Sequence, residues 1–184
     1  MKKNNRSASQ SKRIAGHLQK LVVAAFLVAL SIICGKYLAI PVGTVMRFSF
    51  ENLPLLLAGA LFGPALGLMT AVAADLLGCV MVGYEINPLV TLGAAAIGLA
   101  GGILYRLLKG IHPFFRVLIT VMSAHVIGSV LIKTVGLSVF YDLPFYLLLL
   151  WRLLNYVIVG TVEGVLLYYL LNNRALRHSL EKLR

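Results

Sequence analysis

Residues 52–64 read Asn52-Leu-Pro-Leu-Leu-Leu-Ala-Gly-Ala-Leu-Phe-Gly-Pro64, and a further apolar run to residue 83 follows at once. A helix that crosses the hydrocarbon core needs about 20 apolar residues. The stretch before Pro64 is short for that, so it reads as a tilted or partly buried helix. Outward from it, Gly, Pro and charged positions divide the chain into six apolar pieces: 21–40, 52–64, 66–83, 88–108, 114–139 and 144–172. The fold class is therefore an all-α integral membrane protein with six transmembrane helices.

Composition supports the same reading. Of 184 residues, 60% are apolar and only 12% charged, against about 45–50% and 25% in an average soluble domain. The charges cluster at the ends: Lys2, Lys3, Arg6, Lys12, Arg13 and Lys20, then Arg174, Arg177, Lys182 and Arg184. This divides the chain into a basic N-terminal tail (1–20), a six-helix membrane domain (21–172) and a basic C-terminal tail (173–184). A net charge of +11 would suggest nucleic acid in a soluble protein. Here the cations flank spans, where a cytoplasmic excess of Lys and Arg accounts for them, and no nucleic-acid partner is expected. Cys34 and Cys79 lie inside apolar pieces, so neither a disulfide framework nor a metal site is indicated. No small-residue cleavage site follows a short apolar region, so the first helix is expected to be retained.

Orientation follows from the cations in the short loops. With both termini in the cytoplasm, the inner side receives the two tails and Arg106, Lys109 and Arg116, whereas the outer side holds mainly Lys36 and Arg47. The even-numbered helices then begin outside, each at a polar residue near proline: Glu51-Asn52-Leu-Pro54, Asn87-Pro88 and Asp142-Leu-Pro144. Proline suits a first turn because its missing N–H would have no partner there. Three helix N-termini, each with roughly half a positive charge, would converge outside and, with Arg47 and Lys133, suit an anion. The plainer reading is that these residues only start the helices cleanly.

An ionisable group at membrane depth costs from about 2.5 kcal/mol upward and needs a partner or a purpose. The candidates are Asp75, His125, Lys133, Arg152 and Glu163. At helical spacing His125, Ser129 and Lys133 share one face, and Arg152, Asn155, Tyr156 and Glu163 another. These residues either pair among themselves, Asp75 with Arg152 for example, or line a ligand cavity in the outer half. Their number and bias to one half favour the cavity, with Glu163 structural or facing a partner. Small residues recur every fourth position at Ala25 and Ala29, Gly59, Gly63 and Gly67, Gly98 and Gly102, and Gly160 and Gly164. They let helix backbones approach closely in lipid. No phosphate-binding Gly-x-x-x-x-Gly-Lys motif, paired-His zinc motif or protease Ser setting is present, so no enzyme is expected.

The runs Arg47-Phe-Ser-Phe-Glu-Asn-Leu-Pro with the following Ala-Gly-Ala-Leu-Phe-Gly-Pro64, Ala74-Asp75-Leu-Leu-Gly-Cys79, Val82-Gly-Tyr-Glu-Ile-Asn-Pro-Leu-Val-Thr-Leu-Gly-Ala94 and Ala124-His-Val-Ile-Gly-Ser-Val-Leu-Ile-Lys-Thr134 resemble the folate-specific S components of energy-coupling factor (ECF) transporters. The likeness extends over most of residues 20–172. It implies a vitamin-capturing membrane subunit that docks on one transmembrane coupling protein and two ATPase subunits. Those partners alone would use ATP, and this chain would need no cofactor. It implies a multi-pass protein in the cell membrane of a Gram-positive bacterium, and it places Ala25 and Ala29 against the coupling protein. The expected ligand-binding residues are Arg47, Phe48, Phe50, Glu51, Asp75, Tyr84, His125, Lys133, Arg152 and Asn155. Asp75 would accept from a pterin edge or pair with Arg152 or His125, and Arg47 and Lys133 would hold carboxylates. Phe48, Phe50, Tyr84, Tyr141 and Trp151 would stack on the ligand, unless they form an interfacial belt. The alternatives are an S component for another vitamin, pantothenate or riboflavin, or a membrane protein that does not transport.

Overall fold

The apolar runs become helices in the computed structural model, which describes residues 2–42 and 46–174, with side chains from 15–41 and 47–174. Helix α1 (Lys2–Ile32) continues through a π-helical turn, Ile33–Tyr37. Two three-residue strands follow, β1 (Ile40–Val42) and β2 (Met46–Phe48), paired antiparallel with Ile40 opposite Phe48. Then come α2 (Asn52–Phe62), α3 (Pro64–Val82), α4 (Pro88–Leu107), α5 (Pro113–Ala124), a π-helical stretch His125–Ile132, α6 (Lys133–Tyr141) and α7 (Phe145–Asn172). The last three helical pieces before α7 form one rod, Pro113–Tyr141, so the six expected helices are present. Five are long and apolar enough to cross a membrane. The basic stretch after Lys2 is helical and continuous with the first span, and residues 175–184 of the expected C-terminal tail lie outside the described residues.

The hairpin was not expected. Strands of three residues are too short to show an alternating pattern. Helix α2, at 11 residues, is about 16 Å long by helical rise, roughly half the hydrocarbon thickness. Seven of its residues are buried, which makes it an internal helix held by its neighbours. It ends at Gly63, whose φ of +99° favours glycine. The Arg106 guanidinium occupies the space a Cβ would take and donates to the Phe62 carbonyl at 3.3 Å.

Close packing centres on α4, which touches α2, α3, α5 and α6. A Cβ on Gly98 would meet the Gly67 backbone, and one on Gly59 would lie 2.6 Å from the Gly98 carbonyl oxygen and 2.7 Å from the Gly102 nitrogen. The glycines spaced by four in α2, α3 and α4 thus face one another, and backbone contact replaces the side-chain core that water would otherwise drive together. Leu56, Ile97, Val121 and Leu167 fill the core between α2, α4, α5 and α7. Outside, Phe26, Val80 and Tyr146 are 66%, 68% and 85% exposed, a surface suited to lipid and untenable over this extent in water.

One of the three expected caps forms. Asn87 Oδ1 accepts from the backbone N–H groups of Leu89 and Val90, at 3.0 and 3.3 Å. Glu51 makes no side-chain cap, because its carboxylate is taken by cations. Asp142 does not cap α7 either. It closes α6 in the left-handed region, φ +50°, while Ser138 and Leu143 exchange hydrogen bonds across the turn.

Candidate functional site

The π-helical turn after α1, the hairpin and the link from it to α2, the end of α3, the start of α4, α6 and the first half of α7 line a cavity of about 380 Å³. Its lining is unusual for this chain. Apart from the cations in 2–20, 106–116 and 174–184, the 17 Lys and Arg leave four: Lys36, Arg47, Lys133 and Arg152. All four line the cavity, with Glu51, Asp75 and Glu85 as the acidic groups.

Glu51 sits among three of those cations. Lys133 Nζ lies 3.3 Å from Oε1, and Arg47 Nη2 lies 3.9 Å from Oε2. The Ser31 hydroxyl donates to the Glu51 carbonyl at 2.6 Å. Gly35 makes room, since a Cβ there would stand 2.6 Å from Oε2. Burial pushes the Glu51 carboxyl up, but Lys133, Arg47 and Lys36 outweigh it and hold it at about 2. Glu51 is therefore ionised at neutral pH and partly neutralises the cations around it.

Lys36 and Arg152 form no ion pair among the described residues. Lys36 Nζ stands 5.2 Å from the Tyr84 ring centroid, a cation–π contact. Arg152 Nε donates to the Ser129 carbonyl at 3.0 Å, with its guanidinium carbon 5.4 Å from the Tyr156 ring. Asp75 Oδ2 accepts from the Thr91 hydroxyl at 2.6 Å, and no hydrogen bond among the described residues uses Oδ1. Asp75 thus pairs with neither Arg152 nor His125. Asn155 Nδ2 donates to the Arg47 carbonyl at 3.3 Å, while its buried Oδ1 has no partner among the described residues.

Of the ten expected ligand residues, Arg47, Glu51, Asp75, Tyr84, Lys133, Arg152 and Asn155 line the cavity. Phe48, Phe50 and His125 do not. Phe48 lies half-buried on β2 and Phe50 is exposed after it. His125 is buried beneath, its Nε2 2.6 Å from Glu163 Oε2 and its Nδ1 3.3 Å from the Ser129 hydroxyl. Helical spacing put His125 on the Lys133 face, but the stretch between them is π-helical, with less turn per residue than an α-helix, and the two side chains take different partners, Glu163 for His125 and Glu51 for Lys133. Glu163 also accepts from the Leu53 N–H at 3.1 Å, so it joins α7 to α2 and the fifth span. Tyr141 lines the cavity, whereas Trp151 is half-exposed outside it, as in the belt reading. Lys36 and Tyr156 also line the cavity but were not among the expected ligand residues, although Tyr156 was placed on the polar face with Arg152. Lys36 carried a usable signal, being one of four cations away from the clusters at 2–20, 106–116 and 174–184. Ala25 and Ala29 lie exposed on α1 and line no part of the cavity.

Fold and site together define an all-α multi-pass membrane protein with a ligand-sized, cation-rich cavity at one end of its bundle. The chain belongs to the substrate-specific components of ECF transporters: the model of the family "ECF transporter, substrate-specific component" matches residues 19–176. Its fold is similar to that of FolT in a crystal structure bound with folic acid, at 24% identity and a TM-score of 0.68, covering 82% of this chain and 90% of that one. It is also similar to the S component for biotin from an ECF-type ABC transporter, at 20% identity and a TM-score of 0.64, covering 85% and 93%. At these identities the likeness is one of fold. Comparison with curated protein sequences gives no significant match. The family's part in transport is to bind a vitamin substrate and work with an ECF module.

Proposed function

We propose that the chain captures folate from the outer side of the cell membrane and delivers it through a shared module of one coupling protein and two ATPase subunits. Both termini and the 106–116 loop then face the cytoplasm, and the cavity opens outward. The observation that carries this reading is the convergence of Lys36, Arg47, Lys133 and Arg152 on one cavity that also holds Asp75. Folate has a glutamate tail with two carboxylates and a pterin whose 2-amino and N3 groups are donors. The cations suit the tail, and the unused Asp75 Oδ1 suits the donor edge. Tyr84, Tyr141 and Tyr156 offer faces for the aromatic middle. Biotin and pantothenate carry one carboxylate and riboflavin none, so they leave more of this charge unmatched. The fold shared with both FolT and a biotin S component is consistent with a second reading, an S component for another vitamin.

Calorimetry on the detergent-purified chain tests the choice. Folic acid is expected to bind at least about 100-fold tighter than biotin, pantothenate or riboflavin, a difference of about 2.7 kcal/mol. Tighter binding of any of the other three would refute the folate assignment and leave the vitamin class intact.

A further inference from the structure

The buried pair beneath the cavity joins the site to the helix frame. Arg152 uses Nε on the Ser129 carbonyl, which leaves its two terminal nitrogens with no acidic partner among the described residues. Those nitrogens form the fork that matches a carboxylate, and the match depends on the orientation of the guanidinium plane. Two contacts set that plane, the Ser129 carbonyl at 3.0 Å and the Tyr156 ring at 5.4 Å.

Both contacts rest on one imidazole. The His125 Nδ1 is 3.3 Å from the Ser129 hydroxyl, and its ring stacks on Tyr156 with centroids 4.8 Å apart and planes 26° from parallel. His125 itself is 1% exposed, and Glu163, fully buried, lies 2.6 Å from its Nε2. One hydrogen bond joins Nε2 to the Glu163 carboxyl, and Nδ1 takes the complementary donor or acceptor role towards the Ser129 hydroxyl. The Leu53 N–H holds the other carboxylate oxygen at 3.1 Å.

We propose that His125 and Glu163 are positioning residues for the ligand site. They touch no ligand. Acting through Ser129 and Tyr156, they hold the Arg152 fork towards the cavity. A pair serving only to tie α2, the fifth span and α7 together would not need to support Arg152 along two routes. The inference rests on the reading of the cavity as an anion-binding vitamin site.

The test replaces both members, His125→Leu with Glu163→Leu, so that no charge is left buried alone, and such a swap is often near neutral for folding. Folic acid affinity is read by calorimetry in the native and Arg152→Met backgrounds. The double replacement is expected to weaken binding about tenfold when Arg152 is present, and not further when Arg152 is already Met. Equal losses in both backgrounds, or no loss in either, overturn the proposal in favour of a purely structural pair. If the double replacement does not fold, Glu163→Gln preserves shape but replaces the carboxyl by an amide, a weaker hydrogen-bond partner for the Nε2 that it orients. A loss of about threefold, again confined to the Arg152 background, is then expected, and its absence overturns the proposal. A native chain that does not bind folic acid refutes the folate reading alone. In that case the rate of phenylglyoxal modification of Arg152, followed by peptide mass spectrometry without ligand, decides the proposal. The double replacement, or Glu163→Gln in its place, is expected to change that rate at least about threefold, and an unchanged rate overturns it.

Discussion

Replacing Lys36 by Met separates the charge of the cavity from its packing. The Lys36 stem runs along α3, where a Cβ on Gly78 would stand 3.0 Å from Lys36 Cε. Met keeps most of that apolar stem and removes the ammonium. Arg47 and Lys133 are already engaged by Glu51, but Lys36 makes no ion pair among the described residues and lies against the Tyr84 ring. A ligand carboxylate would therefore give Lys36 its first ion pair, a charge-assisted hydrogen bond of about 1.5–3 kcal/mol. That is about 10- to 150-fold in Kd. Calorimetry with folic acid is expected to show a loss in this range for Lys36→Met. Pteroic acid, which lacks the glutamate, serves as the control and is expected to lose less than about twofold. An unchanged folic acid affinity would refute the reasoning. An equal loss for both ligands would also refute it, because the ammonium would then be acting through packing or the pterin end.

The remaining predictions test separate links. Arg47→Ala and Lys133→Ala are expected to weaken folic acid binding by about 1.5–3 kcal/mol each, and unchanged affinity in both would remove them from the anion site. Glu51, with an ordinary value of 4.5 held at about 2, contributes about 3 kcal/mol of stability that is fully present above pH 4.5 and lost as pH falls through about 2. Glu51→Gln is expected to lower the neutral-pH Tm in detergent and flatten its fall in acid, and an identical Tm profile would contradict this. Gly98→Ala drives a Cβ into the Gly67 backbone, 2.6 Å from its carbonyl carbon, and is expected to destabilise by about 1–3 kcal/mol, read as a lowered Tm. Trp at the exposed Ala25 and Ala29 is expected to leave folic acid binding intact while vesicles carrying the ATPase module lose uptake. Surviving uptake would show that this face is not the partner surface.

The helices and their limits were legible in the sequence because lipid imposes a length and an apolar composition on each span, and Pro54, Gly63, Pro64, Asn87 and Pro88 mark local backbone preferences. The cavity's cations were legible for a related reason: charge is so rare in the apolar pieces that Arg47, Lys133 and Arg152 stood out. Which groups meet was a different matter. Helical period places Asp75, His125, Arg152 and Glu163 on faces, but it does not say which helix each face adjoins. Asp75 therefore bonded Thr91 and not Arg152, and His125 bonded Glu163 below the cavity. The π-helical stretch at His125–Ile132 also lies beyond a periodicity argument, because its wider turn is held by neighbours: Gly128 packs on the Gly93 carbonyl and Ile97. The hairpin that brings Arg47 to Glu51 and Asn155 is only three residues per strand, too short to leave a pattern. Local sequence sets what each segment is, while lateral packing decides which buried charges are neutralised by partners and which remain open to a ligand.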